Sequence, residues 1–315
     1  MKQVFKCSSM HVWALLKKSK NYKSRIGEET ITELFQLFLS SMFHSNQILI
    51  KSFSKHQESQ NGADWDWWFI SDSNKKYLGI RIQAKVISPD TEEYKVLHYI
   101  SGKQPQALKL KRSSVKDSMV PLYALYTYWD HTPKLRYTGE KKEYFGISLV
   151  ALDNILKLKK NKPWQGEKET LQRVSMYLVP LYKLLNKSNT SKSLPENIFD
   201  NLKSELNPRE GMFSRKCPRP GVIDKLPDKI MHLLRIDGDV EDERYDQLLD
   251  ADRVTLFVET EIGTEIGRAG TFMCSPHRCA LRYRLFGNPT SSQWQNTAVR
   301  NTEPPRPELG GAVFW

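Results

Sequence analysis

The stretch DWDWWFISDSNKKYLGIRIQAKVI, residues 64–87, predicts a β-hairpin. Aromatic and β-branched residues fill both of its flanks, and the polar run between them has the composition of a turn. In the second flank every other residue is apolar, which predicts a strand with one apolar face. Arg81, Gln83 and Lys85 then share the opposite face of that strand. The hairpin therefore predicts polar side chains in a row on an otherwise apolar strand.

The first flank supplies acids to the same region. Asp64 and Asp66 share one face of the first strand, and antiparallel pairing can bring Asp64 beside Gln83 and Lys85. Either aspartate could supply the acid next to Gln83 and Lys85, because both lie on that face. The hairpin thus predicts a cluster of an acid, an amide and a lysine.

A helix before the hairpin contributes another acid. Apolar residues from Ile31 to Met42 follow helical spacing and predict a core-facing stripe over 28–42. Running the stripe back one turn places Glu28 on the buried face and Glu29 beside it, toward solvent. Glu28 is then either a site residue or an acid stabilised by the positive end of the helix dipole.

The remaining elements predict an α/β fold with a mixed central sheet between helices. Further strands are predicted at 48–53, 120–129 and 144–152. Further helices are predicted at 92–117, with a break near Gly102 to Pro105, and at 171–185. We predict a core domain with a basic N-terminal helix over 1–186 and a linker over 187–222. Residues 223–315 are predicted to form a C-terminal extension of unknown role, with a helix at 227–235 and a strand at 254–260.

The net charge of the chain indicates which class of binding partner it favours. The 315 residues carry 48 Lys and Arg against 36 Asp and Glu, a net charge of +12. All the lysines lie at or before Lys229, so the basic character belongs to the first part of the chain. Such an excess favours a polyanion such as nucleic acid, although a solvated basic surface explains it equally well. The sequence has no membrane-spanning apolar run and no secretory signal, so we expect a cytoplasmic protein without a membrane partner.

The acid–amide–lysine set suits phosphodiester hydrolysis. Mg²⁺ or Mn²⁺ takes oxygen ligands, and Asp64, the Gln83 carbonyl and Glu28 are the candidate metal ligands. Lys85 would orient the attacking water or neutralise charge that develops on the phosphate. We therefore predict that Asp64, Gln83, Lys85 and Glu28 are the catalytic residues.

These residues resemble the motif of a known superfamily. A helix acid, an Asp and a strand with Gln-x-Lys resemble the PD-(D/E)XK nucleases and their restriction-endonuclease-like α/β/α core. The segments GEETIT (27–32), GADWDWW (62–68) and GIRIQAK (79–85) are most similar to the uncharacterised bacterial family DUF6615. The resemblance covers roughly residues 10–185. It implies a metal-dependent DNA endonuclease that acts in restriction or phage defence.

The resemblance also ranks the other candidates. Asp64 is preferred to Asp66 because it falls at the superfamily's turn-to-strand position. Gln106, which begins the next helix, corresponds to a glutamine that some members use, but a solvated helix residue is the alternative. Arg81 would contact phosphate or pair with Asp66. Glu29 is a further alternative to Glu28.

Double-stranded DNA is the partner that the resemblance implies. Lys109, Lys111 and Arg112 could line a DNA groove, or they could be an ordinary exposed helix face. A homodimer is compatible with cleavage of two strands. Gln83 stands where the superfamily usually has an acid, so the alternative function is an inactive nucleic-acid-binding module of the same fold.

The tryptophans of the first strand and a cysteine-containing motif each have two interpretations. Trp65, Trp67 and Trp68 could stack bases, but core packing is the preferred interpretation. Cys217 and the motif Cys274-Ser-Pro-His277-Arg-Cys279 contain zinc-binding residue types. Their spacing is not that of a common zinc knuckle, so zinc is not predicted and free thiols are preferred.

Overall fold

The computed structural model describes residues 1–42, 48–54, 63–101, 104–160, 168–186, 188–206, 221–235 and 251–259. Its main sheet consists of strands β1 (Ile48–Ser54), β2 (Trp65–Ser71), β3 (Lys76–Val86), β7 (Val120–Tyr126), β8 (Ile147–Ala151), β10 (Val179–Pro180) and β11 (Arg253–Glu259). Two small ribbons pair β4 (Glu93–Tyr94) with β9 (Glu169–Thr170), and β5 (Ile100–Ser101) with β6 (Gln104–Pro105). The helices are α1 (Lys2–Asn21), α2 (Glu28–Met42), α3 (Gln106–Lys116), α4 (Leu152–Lys160), α5 (Leu171–Val174), α6 (Leu194–Glu205) and α7 (Asp228–Arg235).

The main sheet is mixed and has seven strands in the order β1-β11-β2-β3-β7-β8-β10. The pairs β11–β2 and β3–β7 are parallel, and the other neighbours are antiparallel. The predicted hairpin is present, with Trp65 opposite Ile82 and Ser71 opposite Lys76. The predicted α/β class with a mixed sheet flanked by helices is therefore confirmed.

Alternating residues of β2 bury their side chains in two different clusters. Trp65, Trp67 and Phe69 join the main core, where Phe35 of α2 meets the rings of Trp65 and Trp67 edge to face. Trp68 and Ile70 instead join the cluster that contains apolar residues of α7. Both faces of this strand are thus covered by helices, which explains why it carries large apolar residues on both faces.

Two predicted helices are shorter in the structure. The prediction over 92–117 holds only for α3, because Pro105 precedes the helix and the strands β4, β5 and β6 of the small ribbons lie before it. Proline restricts the residue before it to an extended conformation, so the helix cannot extend backwards. The prediction over 171–185 gives α5, 3₁₀ turns and β10, since Pro180 lacks the N–H that a continuous helix needs.

The predicted domain division differs from the structure. The described residues up to Glu259 belong to one compact unit. Helix α6 lies within the predicted linker, and its Ile198 and Leu202 belong to the main core. Strand β11, from the predicted extension, pairs with both β1 and β2 inside the sheet. The division could not be seen in the sequence because β11 pairs with strands that lie about 190 to 210 residues earlier in the chain.

Candidate functional site

The site lies where β3 extends beyond β2. The register of the two strands ends at Trp65 opposite Ile82, so the next residues of β3 have no partner in β2. Asp64 precedes β2 at this point, and its backbone N–H donates to the Ile82 carbonyl over 3.0 Å. The Asp64 side chain therefore occupies the position beside Gln83 and Ala84 that a longer β2 would have filled.

Asp64 is held by two donors from β3. The Ala84 backbone N–H donates to Asp64 Oδ2 over 2.7 Å, and the Gln83 amide nitrogen donates to the same oxygen. Burial raises the pKa of the Asp64 carboxyl above its ordinary value, while Lys85 and these hydrogen bonds oppose the shift. The strand end thus fixes a carboxylate that is costly to keep charged without a cation.

Glu28 approaches from the first turn of α2. The Lys85 ammonium lies 3.3 Å from Glu28 Oε1 and 3.4 Å from Oε2. Burial raises the pKa of Glu28 from 4.5 to about 8, with Lys85 lowering it and the nearby Asp64 raising it further. Two carboxyl groups and one lysine therefore share a poorly hydrated corner of the molecule.

A short chain of hydroxyl groups positions Glu28. Thr32 Oγ1 donates to the Glu28 carbonyl over 2.8 Å and lies 2.7 Å from the Tyr126 hydroxyl. Since the Thr32 proton is used on the carbonyl, Tyr126 is the donor to Thr32. The first turn of α2 is in this way attached to β7.

The nitrogen and the oxygen of the Gln83 amide differ in their hydrogen bonding. Its nitrogen donates to Asp64 and to the Ala84 carbonyl, which lies 3.3 Å away. Its oxygen is buried and has no hydrogen-bond partner among the described residues. A buried amide oxygen without a partner costs free energy, so it is suited to receive a cation or a donor from a ligand.

The four main candidates thus lie together, and they include only two carboxyl groups. Within the described ranges, no group of three or more His, Cys, Asp or Glu side chains could hold a metal ion. A cation here would need the Gln83 oxygen in addition to Asp64 and Glu28. These donors are all oxygens, which fits Mg²⁺ or Mn²⁺ in donor chemistry.

Asp66 and Arg81 form an ion pair with each other and do not join the cluster of four. Arg81 donates from Nε and Nη2 to the two oxygens of Asp66, over 2.9 and 2.7 Å, and from Nη1 to Asp117 over 2.7 Å. Asp66 and Arg81 are 3% and 0% exposed, so they form a buried ion pair across β2 and β3. Of the alternatives weighed for Arg81, the structure shows the pair with Asp66.

The other candidates lie outside the cluster of four. Glu29 is exposed on α2, and Gln106 begins α3 with its side-chain oxygen buried. Lys111 pairs with Asp153 at 3.7 Å, Arg112 donates to Gln104 over 2.7 Å, and Lys109 is half-buried. These contacts neither require nor prevent a DNA groove on α3.

The tryptophans are core residues. Trp65, Trp67 and Trp68 are each at most 2% exposed, so none presents a ring on which a base could stack. The preferred interpretation of these residues is confirmed. Cys217, Cys274, His277 and Cys279 lie outside the described residues.

Two residues near the cluster were missed from the sequence. Tyr123 pairs directly with Gln83 in the β3–β7 register, but it reads as one more apolar residue of a buried strand. Arg253 begins β11, donates its backbone N–H to the Asp64 carbonyl over 3.1 Å and pairs with Glu33 at 3.0 Å. Only the pairing of strands distant in sequence reveals either residue.

The fold and the cluster define an α/β protein with a carboxylate–amide–lysine site at the end of a buried strand. The chain belongs to a family of unknown function, DUF6615, whose model matches residues 1–263. The match extends well beyond residues 10–185, where the sequence resemblance was recognised. No curated protein and no solved structure matches the chain. Along the described part of the chain, no helix has the length and apolar character needed to cross a membrane.

Proposed function

We propose that the protein is a metal-dependent nuclease with a restriction-endonuclease-like core, acting on DNA. One observation carries the proposal: Asp64, Gln83, Lys85 and Glu28, predicted from their spacing, converge at the end of β3. A role in restriction or phage defence and a possible dimer extend the same proposal.

Each residue has a chemical role in this proposal. Asp64, the Gln83 oxygen and Glu28 would hold Mg²⁺ or Mn²⁺, which when bound polarises a phosphoryl oxygen and acidifies water. Lys85, only 6% exposed, lies where its ammonium would donate to a phosphate oxygen and offset the charge that develops during cleavage. Burial strengthens this interaction because little water screens it.

One observation favours a second function, that of an inactive nucleic-acid-binding module. The cluster has an amide where a third acid would strengthen metal binding, and Lys85 already pairs with Glu28. In this alternative the buried groups form a structural ion pair, and the excess of lysine provides salt-dependent affinity.

A substrate panel tests the proposal. Purified protein would be incubated with plasmid, linear duplex, single-stranded DNA and RNA, with Mg²⁺, with Mn²⁺ or with EDTA. We expect metal-dependent cleavage of duplex DNA, and its loss in Lys85→Met, which keeps the length and apolar stem of the side chain. The matched control is Lys75→Met, in the exposed turn of the hairpin. Salt-dependent binding without cleavage, equal in all variants, would support the binding module instead.

A further inference from the structure

A buried hydroxyl lies beside the proposed site and is used by none of the contacts described above. Tyr123 is 0% exposed, and its hydroxyl has no hydrogen-bond partner among the described residues. A hydroxyl buried without a partner costs free energy. Phenylalanine would fill the same space in the core without that cost, so the oxygen calls for an explanation.

The register of the sheet places this hydroxyl at the candidate site. Tyr123 stands directly opposite Gln83 in the parallel pair β3–β7, and directly opposite residues direct their side chains to the same face. Burial, followed by the negative charges of Asp64 and Glu28, raises the pKa of Tyr123 above its ordinary value.

Two residues with unsatisfied buried oxygens consequently stand opposite each other on adjacent strands. Gln83 Oε1 and the Tyr123 hydroxyl are both buried, both without a partner among the described residues, and on facing positions of adjacent strands. Mg²⁺ and Mn²⁺ sites in proteins retain several waters, which need acceptors around them. A hydrated cation would satisfy the amide oxygen directly and the hydroxyl through water.

We propose that Tyr123 is a positioning residue of the metal site, whose hydroxyl accepts a hydrogen bond from water that hydrates a divalent cation held by Asp64 and Gln83. This inference rests on the proposed function. It adds an uncharged residue from β7, the strand whose Tyr126 already attaches the first turn of α2 through Thr32. Groups that contact a metal through its surroundings typically change affinity about 10- to 100-fold when removed.

Direct titration with Mn²⁺ tests the inference without relying on cleavage. The full-length protein, freed of metal with EDTA and exchanged into buffer, is titrated while the free Mn²⁺ signal is followed by electron paramagnetic resonance. We expect Tyr123→Phe to weaken Mn²⁺ binding about tenfold or more. The same variant should melt in EDTA at or above the wild-type temperature, because the lost oxygen has no protein partner.

The matched control is Tyr94→Phe. Tyr94 is also 0% exposed, but its hydroxyl lies 2.8 Å from Thr127 Oγ1, and neither Asp64 nor Glu28 influences it. This variant should lower the melting temperature and leave Mn²⁺ affinity unchanged.

The outcomes separate the two proposals. Equal Mn²⁺ affinity of Tyr123→Phe and the wild type would overturn the role of Tyr123 while leaving the metal site intact. A fall in melting temperature of Tyr123→Phe as large as that of Tyr94→Phe would also overturn it, since it would reveal a protein partner for the hydroxyl. Absence of Mn²⁺ binding by the wild type would overturn the metal site and, with it, this inference.

Discussion

At the residue scale, the cluster is defined by two carboxyl groups that are expensive to charge. Asp64 and Glu28 are close to one another, and Lys85 supplies a single positive charge between them. One lysine cannot neutralise two carboxylates, so the site without metal favours protonation of one acid. The proposed cation would replace that proton.

This account predicts how stability depends on pH in the absence of metal. The pKa of Glu28 is about 8 in the folded protein against an ordinary 4.5, so the unfolded chain loses its proton first as pH rises. The folded state therefore loses stability between about pH 4.5 and pH 8. Glu28→Gln cannot ionise, so its melting temperature in EDTA should exceed that of the wild type above about pH 8, and the difference should disappear below about pH 4.5.

The neighbouring acid provides the control for this measurement. Glu29 is exposed on the same turn of α2, where water solvates its carboxylate. Glu29→Gln leaves Glu28 in place and should therefore keep the wild-type loss of stability between about pH 4.5 and pH 8. Parallel curves for Glu28→Gln and the wild type would contradict the assignment of a raised pKa to Glu28.

At the scale of elements, the hairpin and its site were the most predictable part of the molecule. Alternation along 77–87 is a local signal, so it placed Gln83 and Lys85 together and Asp64 beside them without knowledge of the remaining strands. Helical spacing similarly placed Glu28 on the inner face of α2. These residues come together through one hairpin and one adjacent helix.

Elements that depend on distant partners were not predictable. Tyr123 joins the site only because β7 pairs in parallel with β3, and Arg253 only because β11 pairs with β2. Alternation also could not decide between phosphate and Asp66 as the partner of Arg81, since both interpretations place Arg81 on the same face. The predicted break near Gly102 to Pro105 agrees with the start of α3 after Pro105, whereas the small strands before it and the interruption at Pro180 were not predicted, because apolar spacing does not report the local effect of proline.

The packing of α1 against the sheet region depends on one glycine. A Cβ atom on Gly146 would lie 1.9 Å from the Ser9 carbonyl oxygen and 2.7 Å from the Trp13 nitrogen, both backbone atoms of α1. Gly146→Ala should therefore separate α1 from the 3₁₀ turn Lys142–Phe145, which directly precedes Gly146. We expect the free energy of unfolding to fall by about 1–3 kcal/mol, as overpacking does. Urea denaturation measures the change.

Gly27→Ala is the matched substitution. A Cβ atom there would meet only Thr30 Oγ1, at 3.8 Å, which is an ordinary contact. This variant should keep nearly the wild-type stability. A Gly146→Ala variant as stable as the wild type would contradict the close approach of α1 to Gly146.

At the scale of the whole molecule, the sheet brings the last described strand, β11, next to the first two strands of the chain. Strand β11 lies between β1 and β2, so residues that the sequence assigned to an extension complete the core. Phe257 of β11 is 0% exposed and stacks on Phe69 of β2 with ring centroids 4.7 Å apart. The position of Asp64 thus depends on β11, whose Arg253 backbone N–H donates to the Asp64 carbonyl over 3.1 Å.

Phe257→Ala tests this integration. Truncation of a buried phenylalanine typically costs about 3–5 kcal/mol, and here the loss should destabilise the entire unit, including Trp67 at 5.9 Å between ring centroids. Tryptophan fluorescence and far-ultraviolet circular dichroism should report the same lowered urea midpoint. The control is Leu37→Ala, at a position 65% exposed. An unchanged fluorescence midpoint in Phe257→Ala would indicate that β11 is not part of the core.

The most direct test of the central claim is the rate of plasmid cleavage with Mn²⁺ by the wild type and by Asp64→Asn, prepared identically. The substitution keeps the shape of the side chain and removes the charge that would hold the cation. We predict cleavage by the wild type, and a loss in the variant exceeding the roughly 10- to 100-fold effect of outer groups, with melting in EDTA confirming that the variant is folded. Cleavage by Asp64→Asn at the wild-type rate would contradict the assignment of the site. Absence of metal-dependent cleavage by the wild type would contradict the proposed activity.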